Sequence, residues 1–259
     1  QQMTDTYRYE RIDAETEVFG VIADPVGHSM SPIIHNAAFA SMGMNRVYVP
    51  LRIPPDHLEQ FIRDAPGLGF RGLSVTIPHK ESVMAMLTKT ETGARKIGAV
   101  NTVVFDGDDV VGYNTDLYGA MINLADAAGV VDPDAKWLEN KRVLLLGAGG
   151  VARAIGQGVL DRGAELQISS RTHERALELA SELKSEAIPW DLRHQANPDV
   201  LINGTPVGMH PNVNETPFEA LGLTRKTIVF DTIYNPEQTL LIKLARQSGC
   251  VTVSGVDMF

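Results

Sequence analysis

Short apolar runs and stretches of helical period alternate along the chain. Residues 17–23 predict a first strand, ended by Asp24-Pro25. Ser31-Pro32 opens a helix to about Met42, with Ser31 suited to the N-cap, Pro32 to the first helical position and Gly43 to the stop. Residues 46–53 predict a second strand, and Pro54-Pro55-Asp56 begins a helix through about Asp64. Residues 72–77 predict a third strand, apolar enough to be covered on both faces. A helix over 80–87 is expected after Pro78. Residues 99–105 and 110–113 flank Asp106-Gly107-Asp108, a strong hairpin signal.

Residues 117–128 have helical period and stop at Gly129; 131–140 are polar and loop-like. From there the pattern is strict. Strands are predicted over 143–146, 166–169, 200–203, 227–231 and 251–254, with helices over 151–162, 172–184 and 238–247. Such alternation implies a parallel sheet with helices on both faces. The expected class is α/β in two domains. Residues 1–17 form an N-terminal extension. Residues 18–117, joined by a returning segment 238–259, form an α/β substrate and catalytic domain with a mainly parallel sheet. Residues 118–237 form a Rossmann-type dinucleotide-binding domain.

Composition narrows the function. The chain has 259 residues, is 44% apolar and carries a net charge of −9. That charge argues against nucleic acid as a main partner, since phosphate neutralisation needs clustered Lys and Arg. No stretch approaches the ~20 apolar residues of a membrane span. The single cysteine, Cys250, excludes an internal disulfide and fits a reducing compartment, so a cytoplasmic protein is expected. Cys250 itself reads as a small buried hydrophobe. Met3 is the expected natural start, and nothing near it resembles a secretory leader. The acidic group Asp106, Asp108 and Asp109 reads as a solvated turn.

The most informative local pattern is Leu146-Gly147-Ala148-Gly149-Gly150-Val151-Ala152, a strand running into Gly-x-Gly-x-x-Ala and then a helix. Gly147 allows the tight turn, Gly149 lets a pyrophosphate approach the backbone, and Ala152 lets helix and strand pack closely. The helix N-terminus favours anions. An NAD site would place Asp or Glu about 20 residues beyond the glycines. This chain instead reads Ile168-Ser169-Ser170-Arg171-Thr172. The Arg171 guanidinium suits a 2′-phosphate, with Ser170 and Thr172 adding hydroxyls, so NADP is the expected cofactor. Thr172 also suits a helix N-cap, and Arg171 also fits a solvated surface position.

In the first domain, polar clusters follow the predicted strands: Gly27-His28-Ser29-Met30-Ser31-Pro32, Ser74-Val75-Thr76-Ile77-Pro78-His79-Lys80, Asn101-Thr102 and Asn114-Thr115-Asp116. Hydroxyls, amides, one lysine and one aspartate make a cradle for a polyhydroxylated small acid. His28, His35 and His79 lack the spacing of a metal-binding pair on one helix face, and no metal is expected.

With Asn203-Gly204-Thr205-Pro206-Val207-Gly208-Met209 and Asp231-Thr232-Ile233-Tyr234-Asn235-Pro236, these ordered motifs resemble the shikimate dehydrogenases over about residues 18–259. The resemblance implies NADP-dependent interconversion of 3-dehydroshikimate and shikimate, a step of chorismate and aromatic amino acid biosynthesis. It implies Lys80 paired with Asp116 as the catalytic residues. Ser29, Ser31 and Tyr234 would serve the substrate carboxylate, and Thr76 and Asn101, with Asp116, the ring hydroxyls. Asn203, Thr205, Met209 and Gly255 would border the ribose and nicotinamide.

Family members usually carry a substrate-contacting glutamine a few residues beyond Gly255-x-x-Met258, whereas the chain given ends at Phe259. Ala23 stands where glycine is frequent and Gly204 where alanine is. Residues 7–16 resemble the linker of fusions with a type I dehydroquinate dehydratase domain. The partner expected otherwise is a small-molecule substrate, with the chain as monomer or homodimer. Two rivals stay open: a quinate or dual quinate/shikimate dehydrogenase, and a non-catalytic binding module of the same fold.

Overall fold

A computed structural model describes residues 6–7, 9–27 and 29–258. His28, Met3 and Phe259 lie outside the described residues. The chain divides into two compact units, Gln1–Thr115 and Asp116–Phe259. Among the described residues no helix is long and apolar enough to cross a membrane.

The first unit is built on a six-stranded mixed sheet. Its elements in chain order are β1 (Glu17–Ala23), α1 (Ser31–Ser41), β2 (Arg46–Arg52), α2 (Leu58–Asp64), β3 (Phe70–Val75), β4 (Lys89–Thr90), α3 (Thr92–Ile97), β5 (Thr102–Asp106) and β6 (Asp109–Tyr113). The sheet order is β2-β1-β3-β5-β6-β4. β1 pairs in parallel with both β2 and β3, whereas β5 runs antiparallel to β3 and β6. Ile22, Leu58, Ile62, Phe70, Leu73, Val75 and Val103 form its core.

Several expectations are corrected here. Ser31 is not the N-cap: Met30 is, without a side-chain bond, and Ser31 is already helical. The Ser29 Oγ takes over the capping, accepting from the Ser31 N–H at 3.3 Å. The helix expected over 80–87 is only a 3-10 turn, Ser82–Met86. The Lys80 carbonyl accepts from the Val100 N–H at 2.8 Å, so it is diverted from a helical ladder. The regular strand expected to reach Ile77 ends at Val75, and the one expected from Ala99 starts at Thr102. The hairpin forms as read, with Asp109 held by Lys89 at 2.6 Å.

The second unit holds α4 (Asp116–Ala127), β7 (Arg142–Leu146), α5 (Gly150–Asp161), β8 (Glu165–Ser169), α6 (His173–Leu183), β9 (Glu186–Ala187), β10 (Val200–Asn203), β11 (Ile228–Asp231), α7 (Leu240–Gln247), β12 (Val251–Val253) and α8 (Gly255–Met258). Its six strands are all parallel, in the order β12-β11-β10-β7-β8-β9. β7 shows why the strands are apolar throughout. Val143 and Leu145 pack on one face with Met121, Leu124 and Ile155, while Leu144 and Leu146 pack on the other with Phe218, Val229 and Leu241.

The segment from 238 onward does not return to the first domain, the destination its sequence suggests, but stays within the second unit. β12 pairs with β11, α7 packs on both strands, and α8 packs on α4. An amphipathic helix followed by a short apolar strand suits either destination; pairing along Ile228–Phe230 decides it. Cys250, just before β12, is buried as expected, its thiol donating to the Thr224 carbonyl at 3.1 Å.

Candidate functional site

In the second sheet the strand order reverses between β7 and β10, the position where open parallel sheets take ligands beyond their strand ends. The glycine turn sits there. Gly147 has φ +106°, and a Cβ on it would stand 2.8 Å from the Gly204 carbonyl oxygen. The N–H of Gly147 bonds to Ser169 O and that of Gly204 to Leu146 O, both at 2.8 Å, which ties the turn to its neighbouring strands. Gly149 differs in kind. It is exposed, its backbone is extended (φ −95°, ψ −175°), and a Cβ there would meet nothing within 4 Å. It caps α5, whose first N–H groups have no partners inside the helix. Ala152 is fully buried against Gly204, and Ala148, Gly150 and Val151 are partly buried.

Beyond β8, Ser170 is partly buried and Arg171 and Thr172 are exposed. Thr172 caps α6 by position without a side-chain bond, so its hydroxyl is not committed to the helix. The turn thus offers open backbone for a pyrophosphate, and a cation but no carboxylate at Ser170-Arg171-Thr172. These residues fit NADP.

Beyond β10 and β11 lies a buried polar network: the motifs name Asn203, Thr205 and Asp231 separately, and Thr239 and the bonds that join them are not legible in the sequence. Asn203, Asp231 and Thr239 are each at most 1% exposed. Asp231 accepts from Asn203 Nδ2 at 3.0 Å, from the Ile233 N–H at 3.1 Å and from Thr239 Oγ1 at 2.6 Å. Burial pushes its carboxyl up to about 6, against the pull of those three bonds. The Asn203 Oδ1 accepts from the Thr205 N–H and hydroxyl at 3.0 and 2.7 Å. Tyr234 is half-buried, and burial raises its phenol. Met209 is 40% exposed, and the Gly255 N–H donates to Ile233 O at 3.2 Å.

In the first unit, the polar clusters gather at one end of the central strands. Parallel β1 and β3 end there, and antiparallel β5 begins there. Val75 N–H bonds to Asn101 O at 2.7 Å and Asn101 N–H to Tyr113 O at 3.0 Å. Asn101 Nδ2 donates to Thr115 Oγ1 at 2.9 Å, and its Oδ1 accepts from the Thr115 N–H at 3.0 Å. Thr76 is partly buried; Lys80 is 8% exposed, with its carbonyl bound to Val100 beside Asn101. Ser29 and Ser31 share the bond at the start of α1. His79 is fully buried, its Nε2 on Ile53 O at 2.8 Å, whereas His35 lies against Ser31 O and stacks on Tyr48. The two histidines thus have separate partners. Asp116 opens α4 in the second unit.

Two family models match. Residues 21–103 match the shikimate dehydrogenase substrate binding domain, and residues 131–236 match shikimate / quinate 5-dehydrogenase. A shikimate dehydrogenase (NADP(+)) of Methanosarcina mazei is 42% identical over 93% of this chain and 88% of its own length. The chloroplastic bifunctional 3-dehydroquinate dehydratase/shikimate dehydrogenase of Arabidopsis thaliana is 39% identical over 100% of this chain, which spans 44% of that protein. A crystal structure of a shikimate dehydrogenase in complex with NADP+ superposes with a TM-score of 0.86 at 38% identity, over 95% of this chain and 87% of that one.

Proposed function

The chain belongs to the shikimate dehydrogenase family, and from that premise we propose that it interconverts 3-dehydroshikimate and shikimate with NADP, in the cytoplasm, as a step of chorismate biosynthesis. The observation that carries this is the shared end of the central strands of the first sheet. There Lys80, nearly buried, stands with Thr76 and Asn101 beyond the same strand ends as Ser29 and Ser31.

NADP, when bound, supplies or accepts the hydride. The backbone of Gly147, Ala148, Gly149, Gly150, Val151 and Ala152 holds its pyrophosphate, and Ser170, Arg171 and Thr172 hold its 2′-phosphate. Thr205, Met209 and Gly255 border the ribose and nicotinamide, and Asn203, fully buried and bonded to Thr205, serves the site from behind it. Hydroxyls of Ser29, Ser31 and Tyr234 hold the substrate carboxylate, and Thr76 and Asn101 hold ring hydroxyls.

Reducing the ketone places negative charge on its oxygen. The Lys80 ammonium stabilises that charge and delivers the proton. In the oxidative direction the neutral amine takes the hydroxyl proton. Asp116 is assigned with Lys80 to the catalytic pair of the same proposal.

Lys80→Ala should bind shikimate in calorimetry yet lose ~10²–10⁴ in turnover, the usual worth of a positioned acid–base group. Near-normal turnover would show that Lys80 is not the proton carrier. A fused dehydroquinate dehydratase domain belongs to the same proposal, supported by the match to the bifunctional relative. The mass of the native polypeptide tests it, and sedimentation decides between monomer and homodimer.

A further inference from the structure

Asp231 closes β11 with no exposed surface. A buried carboxylate is costly unless donors meet it, and its three donors come from three different segments. Asn203 belongs to the end of β10, Ile233 to the turn that leads to Tyr234, and Thr239 to the N-cap of α7.

Each branch continues outward. Through Asn203 it reaches Thr205, whose Oγ1 accepts from the Val207 N–H at 3.2 Å. Through Ile233 it reaches Gly255, by the carbonyl of the same residue. The turn after β11 is tied to β10 a second time, because the Thr232 N–H and hydroxyl both donate to Asn203 O, at 3.1 and 2.9 Å.

We propose that Asp231 is a positioning residue for the reaction, one buried carboxylate that holds the cofactor-side loop 203–207 and the Tyr234 turn in a single geometry. This rests on the ligand roles given above. An ionised carboxylate accepts only, so it compels Asn203 to present its amide nitrogen inward and its oxygen to Thr205. A neutral amide at 231 could pair with Asn203 either way round and would lose that compulsion. Stability alone is a weak reason for the group: burial disfavours its charged form and raises its carboxyl to about 6.

The test is Asp231→Asn in the complete chain, beside Thr205→Ala and Tyr234→Phe. Asp231→Asn should melt at or above the wild-type temperature at pH 7.5. Its KM should rise roughly 5–20-fold for both NADP+ and shikimate, about 1–1.8 kcal/mol each. Thr205→Ala should move only the NADP+ constant and Tyr234→Phe only the shikimate constant.

A lower melting temperature with unchanged constants would make Asp231 structural and overturn the proposal. So would a change in one constant alone, or failure to fold, which would show that the fold itself depends on the carboxylate. The wild-type protein is the control. If it does not oxidise shikimate, the proposed function fails and this inference with it; if it does and the variant matches it, only this inference fails.

Discussion

Gly147 and Gly149 stand two residues apart in one turn, yet alanine should act on them in opposite ways. At 147 the backbone has φ +106°, where an L residue is strained by ~1–3 kcal/mol. The new Cβ would also press on the Gly204 carbonyl, 2.8 Å from its oxygen and 2.9 Å from its carbon. Overpacking of that kind adds ~1–3 kcal/mol. A total of ~2–6 kcal/mol corresponds to a fall in Tm of roughly 7–20 °C for a unit of this size. At 149 the backbone is extended and the added methyl meets no protein atom within 4 Å. Gly149→Ala should therefore melt within ~1–2 °C of wild type. Its methyl would instead occupy the space a pyrophosphate needs, and NADP+ affinity should fall at least ~10-fold, about 1.4 kcal/mol. Calorimetric melting and NADP+ titration of both variants separate the two effects. If Gly149→Ala binds NADP+ normally, the pyrophosphate does not lie on this turn. If Gly147→Ala melts with wild type, the strain assigned to the turn is wrong.

Arg171 is exposed, so Arg171→Ala should leave Tm unchanged. Its loss should raise the NADP+ KM ~10–100-fold, the worth of a charge-assisted pair, and leave that of shikimate within ~2-fold; equal effects on both would remove it from the 2′-phosphate. The Asp231 carboxyl is raised from 3.8 to about 6 by burial, so the folded state binds its proton more tightly than the unfolded chain. That contribution to stability is complete below pH 3.8 and is lost as pH rises through about 6, ~3 kcal/mol in all. Asp231→Asn should therefore gain on wild type by up to ~3 kcal/mol in denaturant titrations between pH 4 and 7; a pH-independent difference would contradict the assigned burial.

The elements readable from the chain are those whose signals are local and repeated. β1 and β10 match their expected bounds, because apolar runs with clear stops need no further information. The glycine turn is equally local, since strand, turn and helix are contiguous. α3 escapes notice because it has six residues and draws its order from its ends, with the Glu91 carboxylate on the Gly93 and Ala94 N–H groups and Gly98 at φ +71°. β4 and β9 are two-residue edge strands that exist only through their partners, β6 and β8. Periodicity at 80–87 suggests a helix, but a carbonyl claimed by Val100 prevents it. Asp231 reads locally as an ordinary strand-end acid. Its partner Asn203 lies 28 positions away, and only folding makes the pair a buried node.

One assay crosses the reaction with its cofactor: shikimate and quinate, each with NADP+ and with NAD+, followed by cofactor reduction. Quinate adds a hydroxyl on the carbon that bears the carboxylate, beside the Ser29/Ser31 pair, so it should turn over weakly or not at all. Strong reduction of NADP+ with shikimate alone is the expected result. Equal rates on quinate, or a preference for NAD+, would contradict it.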